Sequence, residues 1–462
     1  MVINKKKVFV LGLDSVPPEL FFDRWLDQLP NIKRLISHSR YGAMKSTIPA
    51  ITCPAWMSMM TSANPGRLGL YGFRNRSGYD YEGMSFANSK AVNVATVWDI
   101  LSRMGKKVVV IGVPMTYPPQ SVNGCMVTCF MTPDTKGEYT YPPELKAEVE
   151  AVSNGYILDV DEFRSDNKDS ILKEIYDMTE KRFRLTRHFI RSKEWDFFMM
   201  VEMGPDRIHH AFWKYFDQDH PKHVPGSKYQ DAILNYYKYL DKEISDTFQL
   251  FDDDTMTLIV SDHGAKKMVG GICINEWLIQ NGYLKLAHYP AEVTQFNKLV
   301  VDWESTLAWG EGGYYGRLFM NVKGREPRGV IAPQHYEHVR NELIKKLEDL
   351  RDENGNNIHT KVFKPEEIYS ECNGIPPDLI VYYGDLFWRS LGSVGNGTIW
   401  ANENDTGPDD ANHSQYGIFV MQNGKNQGGE RLHGVTLYDI APTILSYMGV
   451  RVPESMEGNI IP

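Results

Sequence analysis

Three apolar runs constrain this chain more than any other feature, because each leads into an acid. Lys7 to Asp14 (KVFVLGLD), Asp196 to Met203 (DFFMMVEM) and Thr257 to Asp262 (TLIVSD) are continuous and rich in bulky or β-branched residues. Such runs, without polar alternation, read as strands covered on both faces, the pattern of a parallel sheet. The first closes on Asp14, the second runs into Gly204-Pro205-Asp206, and the third ends in Asp262-His263-Gly264. In an open α/β sheet, ligands bind beyond the carboxyl ends of the strands. If these strands are parallel neighbours, three acids meet at one edge.

The segments between them supply the crossovers. Leu20 to Ser37 has helical spacing, broken near its middle by Pro30-Asn31. Val94 to Met104 is a helix stopped by Gly105, and Lys107 to Val113 is a further strand. Strand, helix and strand joined by short links is the rhythm of a parallel sheet. Tyr117 to Pro143 reads as surface loops, and Asn167 to Ser192 as a long helix whose charges form a solvated face. Tyr229 to Leu250 and Leu437 to Met448 are helices, and Tyr416 to Met421 is a late strand. The texture changes from Ala265 to Pro408, with Gly/Tyr-rich Gly310 to Tyr315, strand-like Leu318 to Val322 and Asp378 to Tyr383, and helical Glu337 to Leu350. The expected organisation is a core of residues 1–264 and 409–462. Residues 265–408 elaborate it, add strands to its sheet and cap a substrate pocket.

Ser46 to Phe73 (STIPAITCPAWMSMMTSANPGRLGLYGF) holds Thr52 just before an apolar helical run, Ala55 to Thr61, that Asn64-Pro65-Gly66 ends. A hydroxyl at a loop-to-helix junction lies among unpaired backbone N–H groups at the positive end of the helix dipole, a place that suits a phosphate. Taken alone, such a Thr is an N-cap.

Asp206 and His210 are four apart, so one helical turn places them on one face, where they can share an ion. His209 then points about a quarter turn away. Asp262 and His263 adjoin at a strand end, and His413 (DDANHSQYGIF) sits just before the late strand. Singly, each His is a surface or core residue; together they fall at loop edges beside strand ends.

The ordered set of Asp14, Thr52 in STIPAITCPAW, Asp206-x-x-x-His210, Asp262-His263-Gly and a late His413 resembles the alkaline phosphatase superfamily. More narrowly it is similar to the type I phosphodiesterase/nucleotide pyrophosphatase branch, and within that to the predicted phosphohydrolase/phosphomutase group of prokaryotes. The resemblance runs from Val8 to about Gly458. It implies a central, mostly parallel sheet flanked by helices on both faces, with an inserted elaboration. It also implies two divalent ions, zinc or manganese. One is held by Asp14, Asp262 and His263 with Thr52 as the bound nucleophile, the other by Asp206, His210 and His413. A threonine hydroxyl is a weak nucleophile at neutral pH, and a bound metal lowers its pKa. Thr52 is expected to be phosphorylated and then hydrolysed.

Four cationic charges from two such ions balance three carboxylates and a Thr52 alkoxide, which suits a monoanionic diester better than a dianionic monoester. Arg67, Arg74, Arg76 and Arg207 are the candidates for extra positive charge. Nucleotide-processing relatives follow the nucleophile with Phe-Pro-Asn, whereas Cys53-Pro54-Ala55 follows Thr52 here. Phe73 falls near the position of their distal Asn, so Asn75 and Arg74 are the expected substrate contacts. The phosphoglycerate mutase branch uses Ser, and Thr52 counts against it.

Acids exceed bases by 59 to 50 in 462 residues, a formal charge of −9 that argues against a nucleic-acid polymer as partner. The cysteines at 53, 125, 129, 273 and 372 form no disulfide framework and no zinc-binding cluster. The apolar run after Lys5-Lys6-Lys7 is too short for a signal peptide, and no window suits a membrane span, so the cytoplasm is the expected compartment. A two-metal phosphodiesterase or phosphohydrolase acting on a small phosphate ester is the leading expectation. A phosphotransferase or mutase passing its group from the same Thr52, a phosphomonoesterase and a metal-dependent binding protein are the alternatives. The sequence assigns no oligomeric state.

Overall fold

The computed structural model describes residues 6–424 and 428–462. Its centre is a nine-stranded sheet. Across the sheet the strands run Glu430–Arg431, Arg40–Lys45, Tyr416–Gln422, Thr255–Val260, Lys7–Leu13, Phe197–Glu202, Val108–Ile111, Gly124–Val127 and Thr140–Tyr141. The five from Thr255–Val260 to Gly124–Val127 are mutually parallel. Tyr416–Gln422 and Thr140–Tyr141 pair antiparallel with their neighbours. The three acid-tipped strands are adjacent, with Lys7–Leu13 in the middle pairing Gly12 with both Val201 and Val260. Helices flank the sheet, as fully buried parallel strands require.

Several local expectations shift. The helical stretch does break at Pro30, into the short helical segments Glu19–Arg24 and Leu26–Gln28 and the helix Pro30–Ile36, which Pro30 opens because its missing N–H costs nothing in a first turn. The supposed loops from Tyr117 to Pro143 contain the strands Gly124–Val127 and Thr140–Tyr141, which complete one edge of the sheet. The charged helix Lys168–Ser192 is not wholly solvated on its polar side, because Lys168 and Arg182 are buried. Arg182 reaches the carbonyls of Val201, Ile157 and Leu158 at 3.1–3.2 Å.

Residues 265–408 add no described strand to the central sheet. They build a four-stranded sheet ordered Ala308–Glu311, Gly316–Met320, Leu379–Tyr382 and Lys361–Phe363. They also build a three-stranded sheet centred on Gly270–Cys273. The first has its own core, with Trp277, Trp309, Leu318, Leu343 and Tyr383 buried. A third apolar cluster joins the two bodies: Ile51 and Tyr71 pack with Tyr314, Tyr315, Ile380 and Tyr382. That seam begins one residue before Thr52. Among the described residues no helix is long and apolar enough to cross a membrane.

Candidate active site

The helix Thr52–Thr61 starts at Thr52, not after it: extended Ile51 is its N-cap and Thr52 its first helical residue. Pro54 falls in the first turn, where its missing N–H has no intrahelical acceptor to lose. The helix is buried on every side and ends at Ser62, which adopts a left-handed conformation at φ 50°; Asn64 then caps a new turn, accepting from Arg67 N at 2.9 Å. The entering loop is held by residues just before the late strand Tyr416–Gln422. His413 Nδ1 donates to Ala50 O at 2.9 Å, and Gln415 Nε2 donates to Ser46 O and Thr47 O at 2.8 Å each. Ala50 N donates to Tyr382 OH at 2.8 Å, a contact from the 265–408 region. Thr52 is 3% exposed, with Oγ1 3.4 Å from His263 Nε2.

Six side chains from four places in the chain gather beside it in two groups. Asp14, Asp262 and His263 form one; Asp206, His210 and His413 form the other, and within each group the donor atoms lie within 4.8 Å of one another. All six are buried. His263 Nε2 is 3.2 Å from Asp262 Oδ2 and 3.8 Å from Asp14 Oδ1. Asp206 Oδ1 is 3.2 Å from His210 Nε2 and 4.0 Å from His413 Nε2. His209 is turned away as its helical position requires, with Nε2 3.0 Å from Tyr237 OH.

The remaining atoms of these residues fix which ones face inward. Asp14 Oδ2 accepts from Trp56 Nε1 at 2.8 Å, Asp262 Oδ1 from Ser15 N at 3.2 Å, and Asp206 Oδ2 from Arg207. The other oxygens, Asp14 Oδ1, Asp262 Oδ2 and Asp206 Oδ1, are buried and have no hydrogen-bond partner among the described residues. His263 Nδ1 faces Gly264 O at 3.0 Å, His413 Nδ1 faces Ala50 O, and His210 Nδ1 faces Asp409 Oδ1 at 2.7 Å. In a neutral ring, donation from Nδ1 leaves Nε2 with its lone pair toward the bare carboxylate oxygens, as for His263 and His413. An orphaned buried carboxylate oxygen is costly unless a cation answers it. Ligands about 2.0–2.2 Å from a tetrahedral ion lie roughly 3.4 Å apart, so both groups fit a divalent cation.

Without a cation the site is electrostatically frustrated. Burial, then the neighbouring Asp206 charge, raises the Asp14 carboxyl well above its ordinary range. Burial and Asp14 do the same to Asp262. Burial would raise Asp206 too, but His210 and Arg207 outweigh it and hold that carboxyl low. Burial pushes His263 down to about 4 and, with His263 beside it, keeps His413 neutral as well. Burial also works against charge on His210, yet Asp409, Tyr314 and Asp206 raise it overall.

Several participants have no distinguishing mark in the sequence. Trp56 looks like core in an apolar helix, yet its indole N–H orients Asp14. Gly12 makes room for it: a Cβ there would sit 2.4 Å from Trp56 Cη2 and 2.7 Å from Val201 Cγ2. Tyr314 stacks on His413 at 4.1 Å and His210 at 4.9 Å between centroids. Asp409, Arg164 and Arg389 cluster behind His210. The run Asp409-Asp410-Ala411-Asn412-His413 was the available signal for Asp409, four residues before the histidine.

The expected substrate contacts are occupied elsewhere. Asn75 Oδ1 accepts from Tyr71 N at 2.7 Å and its Nδ2 donates to Gly72 O at 3.1 Å, which locks a turn. Arg74 is exposed and lies over the Phe86 ring at 4.6 Å. Of the other arginines, Arg67 pairs with Glu371, Arg76 with Glu326 at 3.1 Å, and Arg207 with Asp159 at 2.7 Å.

The mostly parallel sheet brings three acids and three imidazoles together near its carboxyl edge. The profile of the type I phosphodiesterase/nucleotide pyrophosphatase family matches residues 8–411, and the chain belongs to that family of metal-dependent phosphoric ester hydrolases. No curated protein sequence matches the chain. Among solved structures, the phosphonoacetate hydrolase of Sinorhizobium meliloti 1021 bound to phosphonoacetate is similar, with a TM-score of 0.63, 12% identity, and coverage of 96% of each chain. Human ectonucleotide pyrophosphatase/phosphodiesterase 5 gives a TM-score of 0.56 at 12% identity, covering 99% of this chain and 97% of that one. An inactive variant of the murine protein in complex with AMP gives 0.56 at 10%, covering 97% and 96%. At such identities the likeness speaks to the fold.

Proposed function

We propose that this chain is a two-metal phosphodiesterase that passes the phosphoryl group through Thr52. The observation that carries this reading is the set of three unpartnered carboxylate oxygens facing imidazole Nε2 atoms beside the Thr52 hydroxyl. Asp14, Asp262 and His263 would hold one divalent cation together with Thr52, and Asp206, His210 and His413 the other. The mixed carboxylate and imidazole donors suit zinc or manganese. When bound, the pair supplies Lewis acidity that makes the Thr52 hydroxyl nucleophilic and offsets charge on the phosphoryl oxygens.

Thr52 Oγ1 attacks phosphorus, the P–O bond to the leaving group breaks, and water then cleaves phospho-Thr52 to regenerate the hydroxyl. As first-turn residues, Thr52 and Cys53 have N–H groups with no intrahelical acceptor, which could donate to a phosphoryl oxygen. Asn75 reaches that oxygen only by leaving Gly72 O, and Arg74 only by leaving Phe86. Arg67, Arg76 and Arg207 already pair with acids, which favours a monoanionic diester or pyrophosphate over a dianionic monoester. Residues 265–408 cap the pocket in this reading, supported by the stacking of Tyr314 on His413 and by the contact of Arg389 with Asp409 behind His210. The five cysteines are all free thiols, which supports a reducing, cytoplasmic setting.

The test compares hydrolysis of bis-p-nitrophenyl phosphate with that of p-nitrophenyl phosphate, with EDTA and Thr52→Ala as controls. The diester is expected to react faster, and either control to abolish turnover. Turnover surviving both controls would remove the mechanism; a faster monoester would remove the charge argument.

A further inference from the structure

We infer that Asp409 is a positioning residue for His210, and that residues 265–408 hold it in place. This deepens the two-metal reading above and rests on it. Asp409 is 3% exposed, and its Oδ1 is 2.7 Å from His210 Nδ1. Its Oδ2 accepts from Arg164 Nε at 3.2 Å, Arg389 Nη1 at 3.1 Å and Tyr314 OH at 3.3 Å. Tyr314 OH also accepts from Arg164 Nη2 at 2.5 Å. Three groups therefore grip the oxygen that His210 does not use, and two of them, Tyr314 and Arg389, come from 265–408.

The geometry separates the two donor groups. His263 and His413 rest their Nδ1 atoms on backbone carbonyls, which are neutral. His210 alone of the three rests on a carboxylate. A carboxylate behind a ligating imidazole fixes its ring orientation and raises its basicity, and losing such a partner typically costs ten- to a hundredfold in metal affinity. The effect should fall on the Asp206–His210–His413 group and spare the Asp14–Asp262–His263 group.

The test is zinc titration of metal-free full-length protein against a competing chelator, with melting temperatures recorded alongside. Wild type is expected to bind two ions. Asp409→Asn, which keeps an oxygen for His210 but no charge, should bind one ion as wild type does and the other about ten- to a hundredfold more weakly. Should burying two arginines without their acid unfold that variant, the charge-balanced pair Asp409→Asn with Arg389→Gln should show the same split. Unchanged affinity at both sites, or equal weakening of both, would overturn the inference while leaving the two-metal reading in place. Wild type binding no zinc or manganese would overturn the reading beneath it.

Discussion

The imidazole of His413 stacks on that of His263 with centroids 3.8 Å apart and planes 18° apart. One ring belongs to each donor group, so the groups share a wall, and Tyr314 extends it as a third ring. Aromatic pairs contribute about 0.5–1.5 kcal/mol beyond area burial, roughly two- to tenfold in an equilibrium. Tyr314→Leu should therefore weaken zinc binding or lower kcat by about that factor, since an unstacked His413 samples other rotamers. Tyr314→Phe keeps the ring and should lose less. Equal losses in both variants would assign the effect to the hydroxyl and not to the stack.

Thr52 can be tested by its hydroxyl alone. Thr52→Ser retains a nucleophile at the first helical position and should retain turnover within about tenfold. Thr52→Ala should lose on the order of a thousandfold or more in kcat, the scale for removing a nucleophile. Both should melt within a few degrees of wild type. Rapid quench with a labelled diester should trap phosphoprotein in wild type and none in Thr52→Ala; label retained by the alanine variant would place the nucleophile elsewhere.

Metal and pH should be linked with a definite sign. In the metal-free chain Asp14 and Asp262 have carboxyls raised above their ordinary 3.8, by burial first and neighbouring carboxylates next. Groups raised in the folded state favour folding at low pH. That contribution is lost as pH climbs from the ordinary value through the raised one. Metal binding needs these carboxylates ionised and the imidazoles neutral, so its stabilisation grows over the same window. The stabilisation of zinc-loaded over EDTA-treated protein should grow as pH rises above the ordinary carboxyl value of 3.8, reaching roughly 2.7 kcal/mol per site at a hundredfold excess over Kd. A difference that narrows with rising pH would contradict the carboxylate assignment.

What the sequence made legible followed from local geometry. Asp14 and Asp262 could be placed because each follows a buried strand, and Asp206 with His210 because four residues make one helical turn. His413 was expected in a loop, where only its order after the other motifs singled it out, but it lies in the short strand Ala411–Ser414, opposite Ala265. Asp409 was hidden because its partner His210 is distant in sequence and close only through the fold. Tyr314 and Arg389 were hidden for the same reason. The strands Gly124–Val127 and Thr140–Tyr141 escaped notice because short edge pieces among prolines carry little periodicity. Lys168 and Arg182 were misread as solvated because charge on a helix says nothing about a buried acceptor waiting across the packing.

Gly12 and Trp56 should behave as a pair. Trp56→Phe keeps the packing but withdraws the N–H from Asp14, which should weaken zinc in the Asp14 group about ten- to a hundredfold. Gly12→Ala drives a methyl into the indole and should produce the same metal defect along with a loss of stability. The double variant should be less impaired than the sum, because both changes act through one ring. Strict additivity would mean the glycine matters for some other contact.

Stability of the seam between the central sheet and residues 265–408 should depend on Arg76 and Glu326. Their side chains are 4% and 0% exposed and meet at 3.1 Å. Removing one partner of a buried pair costs about 3–5 kcal/mol when the other charge is left alone. Here Arg325 Nε remains 3.0 Å from Glu326 Oε2, and Val322 N donates to the same oxygen at 2.9 Å. Arg76→Met should accordingly cost less, about 2–3 kcal/mol, read from urea denaturation. Adding Glu326→Gln should not recover that loss, because Glu326 is still paired with Arg325, which would then keep the Asp378 carboxylate but lose this one. Arg451→Met, at a pair whose side chains are 85% and 89% exposed, is the surface control and should cost almost nothing. An Arg76→Met cost as small as that control would mean water reaches Glu326, and that this ion pair adds little to the apolar seam at Ile51 and Tyr71 and to the polar contacts such as Ala50 N to Tyr382 OH.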